Sequence, residues 1–189
     1  MNLRQLTLAI LLACSGAATA SDVSDGQASQ LFQILGLKEA VSIYAKDSVA
    51  SAPLFQKLGS DQKGCIAGLV GETIARNTVA QLKTLFQDDD KAERWIQFSK
   101  TAAGQRYMQY VAAAAKAVFL SRPVPDRAEL LLGMSPAQAA QTQEFIASPA
   151  GMVFRAAPPL TPPAMTEAQQ AALGDELVNR CRLSESDFS

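Results

Sequence analysis

The chain of 189 residues contains no histidine. Imidazole is the group that most often activates a serine or cysteine nucleophile, and it is the commonest zinc ligand. Its absence therefore removes the base of most hydrolase mechanisms and the usual zinc site. The sequence also lacks a glycine-rich phosphate loop, and its motifs predict no cofactor and no metal.

The chain also lacks an excess of charge of one sign, since it contains 17 Lys and Arg residues and 18 Asp and Glu residues. A nearly neutral chain creates no field that would attract nucleic acid or an anionic membrane surface. Basic residues are not interleaved with aromatic ones in a patch typical of nucleic-acid binding. We therefore expect no nucleic-acid partner.

Long apolar runs are absent except at the N-terminus. There MNLR precedes LTLAILLA and then SGAATA, a pattern typical of a signal peptide over residues 1–20 with cleavage after Ala20. The run is too short to span a bilayer, which takes about 20 apolar residues. The alternative is a lipobox at 11–14, which would leave a lipidated Cys14 as a membrane anchor. Both interpretations predict export from a bacterial cytoplasm, with the periplasm as the expected location.

Cysteine is scarce, and only Cys65 and Cys181 follow the predicted signal peptide. In an oxidising compartment this pair predicts a disulfide that ties the last helix to the first half of the chain. Closing a loop of 116 residues would stabilise the fold by about 4 to 5 kcal/mol on the chain-entropy model. The alternative is two separate buried thiols. A nucleophilic Cys65 is disfavoured because it has no imidazole partner.

Apolar residues recur at spacings of three and four almost throughout, and no stretch alternates with the period of two of a half-buried strand. The sequence predicts an all-α protein, a single compact domain over 21–189 with about seven to nine helices. Capping residues predict helices that begin at about 91, 136 and 167, the last after a proline-rich linker at 158–163. One long helix should face the core with a stripe formed by Ile66, Leu69, Val70, Ile74, Leu82, Leu85 and Phe86.

Two segments share the pattern F-x-x-[ST]-x-A-G-x-x-[FY], namely FSKTAAGQRY at 98–107 and FIASPAGMVF at 145–154. In each copy we expect one helix to end, a hydroxyl side chain to cap the next, and aromatic residues to pack on both sides of the bend. The alanine and glycine should let another helix approach closely. The alternative is a chance recurrence of common capping residues. The motif residues are Phe98, Thr101, Gly104, Gln105, Arg106, Tyr107, Phe145, Ser148, Gly151 and Phe154.

The first copy resembles a family of small exported bacterial proteins whose typical motif is an aromatic residue followed by [ST]-x-x-G-Q-[KR]-[FY] and a helix. The resemblance covers roughly residues 90–160. The second copy departs from the family pattern, with Met152 and Val153 where a glutamine and a basic residue are expected. The family is classed as a domain of unknown function, so the resemblance implies an all-helical exported domain and assigns no catalytic residue.

Carboxylates are the acid–base groups that remain in a chain without histidine. Glu72 is the candidate for a cell-wall hydrolase, although Arg76 four residues further on favours an ordinary ion pair on the helix surface. The three aspartates at 88–90 lack the glycine and glutamate of a calcium loop. A helix cap is the favoured interpretation of that run.

The segment WIQFSKTAAGQRYMQYVAAAAKAVF at 95–119 has two interpretations, and its charged residues exclude a membrane span. Its composition suits a contact surface formed by Trp95, Arg106, Tyr107 and Tyr110. The favoured interpretation buries a core stripe formed by Tyr107, Val111, Ala114 and Val118. Exposed positions are then expected at Gln105, Arg106 and Gln109.

Missing catalytic groups and the export signal together set the functional expectation. We expect a non-enzymatic protein-binding module in the periplasm, with an immunity-type inhibitor of an exported antibacterial toxin as the preferred form. The alternatives are a general envelope chaperone and a carboxylate-dependent cell-wall enzyme. The chaperone is disfavoured because no segment offers a large exposed apolar surface.

Overall fold

The computed structural model describes residues 22–155 and 160–183. Within these ranges the chain forms eight α-helices, two short 3-10 helices and no strand, which confirms the all-α prediction. The predicted signal peptide, with Cys14, lies outside the described residues. The α-helices are α1 (Asp25–Ile34), α2 (Leu37–Ser51), α3 (Ser60–Phe86), α4 (Asp89–Ser99), α5 (Ala102–Phe119), α6 (Arg127–Leu131), α7 (Pro136–Ala147) and α8 (Glu167–Cys181).

Helix α3 is the longest element, and the apolar stripe predicted for it faces the core. Five of the seven stripe positions are buried, while Val70 and Leu85 are half-buried and pack against the core clusters. Helices α1 and α2 lie against α3, and they are joined by Gly36 in a left-handed conformation with φ of 69°. Glycine adopts this backbone conformation at little cost, which allows the tight reversal.

Two of the three predicted helix starts are confirmed, and local hydrogen bonds explain them. Ser135 and Thr166 each form a capping box that opens α7 at Pro136 and α8 at Glu167. The start predicted at about 91 is two residues too late. Asp88 makes the cap, because its carboxylate accepts hydrogen bonds from the backbone N–H groups of Asp90 at 2.9 Å and Lys91 at 3.3 Å.

The described residues form two apolar cores that meet along α3. The main core gathers residues of α1 to α5 around Phe86 and Trp95. The second core surrounds the predicted disulfide, which is confirmed by the 2.00 Å distance between the sulfur atoms of Cys65 and Cys181. Helix α8 therefore lies against α3, as expected for a C-terminal helix tied back to the first half of the chain.

Between residue 160 and the start of α8, the predicted linker has no regular secondary structure. Leu160 of this linker and Met165, two residues beyond its predicted end, pack against the main core. The first part of the predicted linker, 158–159, lies outside the described residues. None of the helices in 22–155 and 160–183 is long and apolar enough to cross a membrane.

Candidate functional site: an apolar groove along helix α5

The two copies of the repeated pattern form the same local hydrogen bonds. In the first copy, the Thr101 hydroxyl donates to the Phe98 carbonyl and accepts from the Gly104 N–H, both at 2.9 Å. In the second copy, the Ser148 hydroxyl donates to the Phe145 carbonyl at 2.7 Å and accepts from the Gly151 N–H at 3.1 Å. The repeat is therefore a duplicated corner in which one hydroxyl bridges the end of a helix and the turn after it.

The glycine of each corner faces the carbonyl that ends the preceding helix. A Cβ atom at Gly104 would lie 1.7 Å from the Phe98 oxygen, and one at Gly151 would lie 2.1 Å from the Phe145 oxygen. The close approach predicted for the small residues thus occurs within the corner itself, to its own preceding helix. The glycine allows the chain to turn back so sharply that the bridging hydroxyl reaches both partners.

The second copy does not open a new α-helix as predicted. After Ser148 the chain forms turns and the short 3-10 helix Val153–Arg155. The sequence continues into Pro158 and Pro159, and a residue that precedes proline is disfavoured in the helical conformation. A full α-helix therefore follows Thr101, whereas only turns and a short 3-10 helix follow Ser148.

The aromatic residues of the two corners pack against each other around Trp95. The rings of Phe98 and Phe145, which occupy the same position in the two copies, stack with centroids 3.9 Å apart. The Trp95 ring lies 5.1 Å from Phe145 and from Phe154 and 6.0 Å from Tyr107. The pattern predicted aromatic contacts within a corner, and the structure adds the contacts between corners.

Trp95 also joins the corners through a hydrogen bond. Its indole N–H donates to the carbonyl of Ala150, in the second corner, at 2.8 Å. A buried indole usually needs such an acceptor, because an unpaired buried N–H destabilises the fold. Trp95 belongs to no repeated position, so the sequence pattern could not reveal this role.

The predicted core stripe of α5 is half-buried and lines a groove. Tyr107, Val111, Ala114 and Val118 are all partly buried, and Tyr107 and Val111 pack against the main core. The predicted stripe thus faces the core without being closed over, and Gln105, Arg106 and Gln109 are exposed as predicted. The groove has a volume of about 310 Å³ and is lined by Leu35, Trp95, Tyr107, Tyr110, Val111, Ala114, Ala115, Val118, Phe154 and Leu160.

None of the side chains that line the α5 groove carries a charge. Its polar side-chain groups belong to Trp95, Tyr107 and Tyr110, and none of these residues is without a partner. The Trp95 N–H binds the Ala150 carbonyl, and the Tyr110 hydroxyl donates to the Pro125 carbonyl at 3.5 Å. The groove thus offers apolar and aromatic surface to a ligand, with no carboxylate or amine placed for acid–base chemistry.

The candidate carboxylate Glu72 lies on the exposed surface of α3 and does not line the α5 groove. Its ion pair is with Arg180 at 3.5 Å, and Arg180 also binds Glu176 at 3.4 Å. The predicted partner Arg76 instead donates to the Thr73 hydroxyl at 3.3 Å. The prediction failed because the disulfide brings α8 alongside α3, which helical spacing cannot reveal.

The aspartate run at 88–90 caps α4. Burial alone would raise the pKa of Asp88, but hydrogen bonds from the backbone of Lys91 and Asp90, and the nearby Lys91 ammonium, hold that pKa below its ordinary value of 3.8. Nowhere in the described chain do three or more Cys, Asp or Glu residues gather as a possible metal site. The cap is the role that the contacts of Asp88 support.

Comparison of the chain with protein-family models, curated proteins and solved structures gave no match. The resemblance to the exported helical family therefore stays a prediction, carried by the first corner alone.

Proposed function

We propose that this protein is an exported, non-enzymatic binding module that holds an apolar segment of a partner protein in the α5 groove. One observation carries the proposal: among the described residues, a helix face with the residue spacing of a packed core is only partly covered, and aromatic side chains line it. The groove along this face has a volume of about 310 Å³, at the lower end of the range of ligand-binding sites. Tyrosine, present here as Tyr107 and Tyr110, is among the residues that dominate binding energy at protein interfaces.

The shape of the groove favours a helical occupant. The open face runs from Tyr107 to Val118, which is about 16 Å of helix at 1.5 Å per residue. Three turns of an amphipathic helix in a partner would match that length, and its apolar side chains would fill the groove. The small side chains of Ala114 and Ala115 allow the backbone of such a helix to approach closely.

Charge beside the groove comes from Arg155, which is exposed and directly follows the lining residue Phe154. Of the two basic residues of α5, Lys116 pairs with Glu39 and Arg106 donates to the Leu132 carbonyl at 3.2 Å. An acidic residue of the partner helix beside Arg155 would mainly raise the rate of association.

A single specific partner, such as a toxin neutralised by an immunity-type inhibitor, fits the groove better than many unfolded clients do. A holdase needs broad apolar surface. Apart from the groove, the large exposed apolar residues of the described chain belong to five separate segments: Leu54, Val124, Leu132, Met152 and Val178. We therefore propose one-to-one inhibition and keep general chaperone activity as an outcome of the test.

Site-specific photo-crosslinking tests the proposal. A photoreactive amino acid replaces Tyr110, which lines the groove, and the protein is irradiated in the periplasm of its own cells. We expect one crosslinked protein at a one-to-one ratio. In the same background, Ala114→Glu should abolish the crosslink by placing a charge in the groove, whereas Ala113→Glu, at the exposed neighbouring position, should leave it intact.

The identity of the crosslinked protein decides the form of the function. A partner that stops growth when produced alone in the periplasm, and is harmless when this protein is produced with it, supports inhibition of a toxin. Many substoichiometric partners would replace that conclusion with chaperone activity. Equal crosslinking in the Ala114→Glu and Ala113→Glu variants, or no crosslinked protein, would refute binding through the groove.

A further inference from the structure

A short stretch of chain connects the α5 groove to the disulfide. Leu160 lines the groove, and six residues later Thr166 caps α8, whose last residue is Cys181. The stretch has no regular secondary structure and contains Pro162 and Pro163, which stiffen an extended chain. Extended at about 3.1 Å per residue, it would span at most about 19 Å. A short connection thus links α8 to the wall of the groove.

The disulfide is the one covalent attachment of helix α8 to α3. Cys181 is the only buried residue of the helix itself, and Leu183, just after its end, is buried in the second core with Leu173 and Leu177 half-buried beside it. The Asn77 and Gln169 amides exchange two hydrogen bonds, at 2.8 and 3.2 Å. The ion pair of Arg180 with Glu72 is exposed and adds little. Without the covalent link, α8 is held by these three leucines and one amide pair.

We propose that the Cys65–Cys181 disulfide controls the shape of the α5 groove. While the disulfide is closed, α8 and the linker hold Leu160 at the wall of the groove. Reduction by a dithiol releases α8 and lets Leu160 move away, which weakens the binding of an apolar occupant. The movement of Leu160 does not depend on the proposed function, whereas the effect on a partner rests on it.

The reduction is an ordinary exchange between a dithiol and a disulfide. Cys65 is half-buried and Cys181 is buried, so the thiolate of the dithiol attacks the Cys65 sulfur. A mixed disulfide forms, and Cys181 leaves as a thiolate that takes up a proton. The second thiol of the reductant then closes its own disulfide and releases Cys65 as a thiol. Two electrons pass from the dithiol to the protein.

Trp95 reports on the groove directly, because it is the one tryptophan of the chain and it lines the groove. Adding dithiothreitol to the protein should shift its fluorescence emission to the red as water reaches the ring. Hydrogen exchange should rise in α8, while far-UV circular dichroism shows that the other helices persist. Leu160→Ala in the oxidised protein should reproduce the red shift, and Val178→Ala, at an exposed position of α8, should not.

A linker variant tests whether the linker carries the effect. Six glycine and serine residues inserted after Ala164 should let reduction free α8 without a change in Trp95 emission. The proposal is overturned if reduction accelerates exchange in α8 of the unmodified protein but leaves Trp95 emission unchanged. Loss of helical signal throughout the chain on reduction would also overturn it, because the disulfide would then support the whole fold. Neither readout needs a partner, so both remain valid if crosslinking shows that nothing binds in the groove.

Discussion

Replacing Gly104 with alanine should destabilise the protein strongly, although the same change in an open helix is stabilising. Alanine has the higher helix propensity by about 0.5 to 1 kcal/mol. At Gly104, however, the new Cβ would lie 1.7 Å from the Phe98 oxygen, which belongs to the backbone and cannot rotate away. The corner must therefore open by more than 1 Å before ordinary contact is restored.

The expected loss follows from the contacts of the corner. Overpacking of this kind costs about 1 to 3 kcal/mol. Opening the corner also breaks the two hydrogen bonds of the Thr101 hydroxyl, each contributing about 1 kcal/mol. After the gain in helix propensity is subtracted, the free energy of unfolding should fall by about 3 kcal/mol, or about 6 to 12 °C in Tm.

Gly68 is the matched control, since it lies in α3, is exposed, and has no atom within 4 Å of its would-be Cβ. Gly68→Ala should raise the free energy of unfolding by about 0.5 to 1 kcal/mol. Urea unfolding of both variants with the disulfide intact, followed by Trp95 fluorescence and circular dichroism, measures the two effects. If Gly104→Ala is as stable as the unmodified protein, the tight corner does not exist in solution.

Replacing both Cys65 and Cys181 with serine should lower the free energy of unfolding by about 4 kcal/mol, because the unfolded chain loses a closed loop of 116 residues. Urea unfolding under oxidising conditions measures this loss. A loss below about 1 kcal/mol would contradict the prediction. Ionised Asp88 stabilises the fold above its unfolded pKa, and this contribution disappears as pH falls through its lowered folded pKa, below 3.8. Asp88→Asn should retain the cap without titrating. Its urea midpoint should therefore fall less than that of the unmodified protein between about pH 5 and pH 2. If the urea midpoints of the two proteins fall in parallel with pH, Asp88 does not contribute to the pH dependence of stability.

Features decided by neighbours in sequence were predictable, and so was the disulfide. Ser135 and Thr166 mark helix starts because their partners lie three residues away. The stripe of α3 follows from helical periodicity, since a long helix with one apolar face must bury it. Cys65 and Cys181 pair across 116 residues, but they were the only two candidates after the predicted signal peptide.

Features decided by distant packing were not predictable. Arg180 rather than Arg76 meets Glu72, because the docking of α8 creates a neighbour that no helical spacing implies. Periodicity showed that Tyr107 and Val118 share an apolar face, but not whether another helix covers that face. The second interpretation, a contact surface formed by Trp95, Arg106, Tyr107 and Tyr110, stays a prediction: the two tyrosines line the groove, whereas Trp95 is fully buried and Arg106 does not line it.

The openness of the groove is linked to the difference between the two corners. Both corners share the bridging hydroxyl, the glycine and the stacked phenylalanines, so they form a common support around Trp95. After the first corner the chain continues as α5, which supplies most of the groove. After the second it forms turns and a short 3-10 helix, and in the sequence the lining residues Phe154 and Leu160 stand on either side of the prolines at 158–159. The shared corners therefore stabilise the scaffold, and the part of the chain in which the copies differ contributes Phe154 and Leu160 to the wall of the groove.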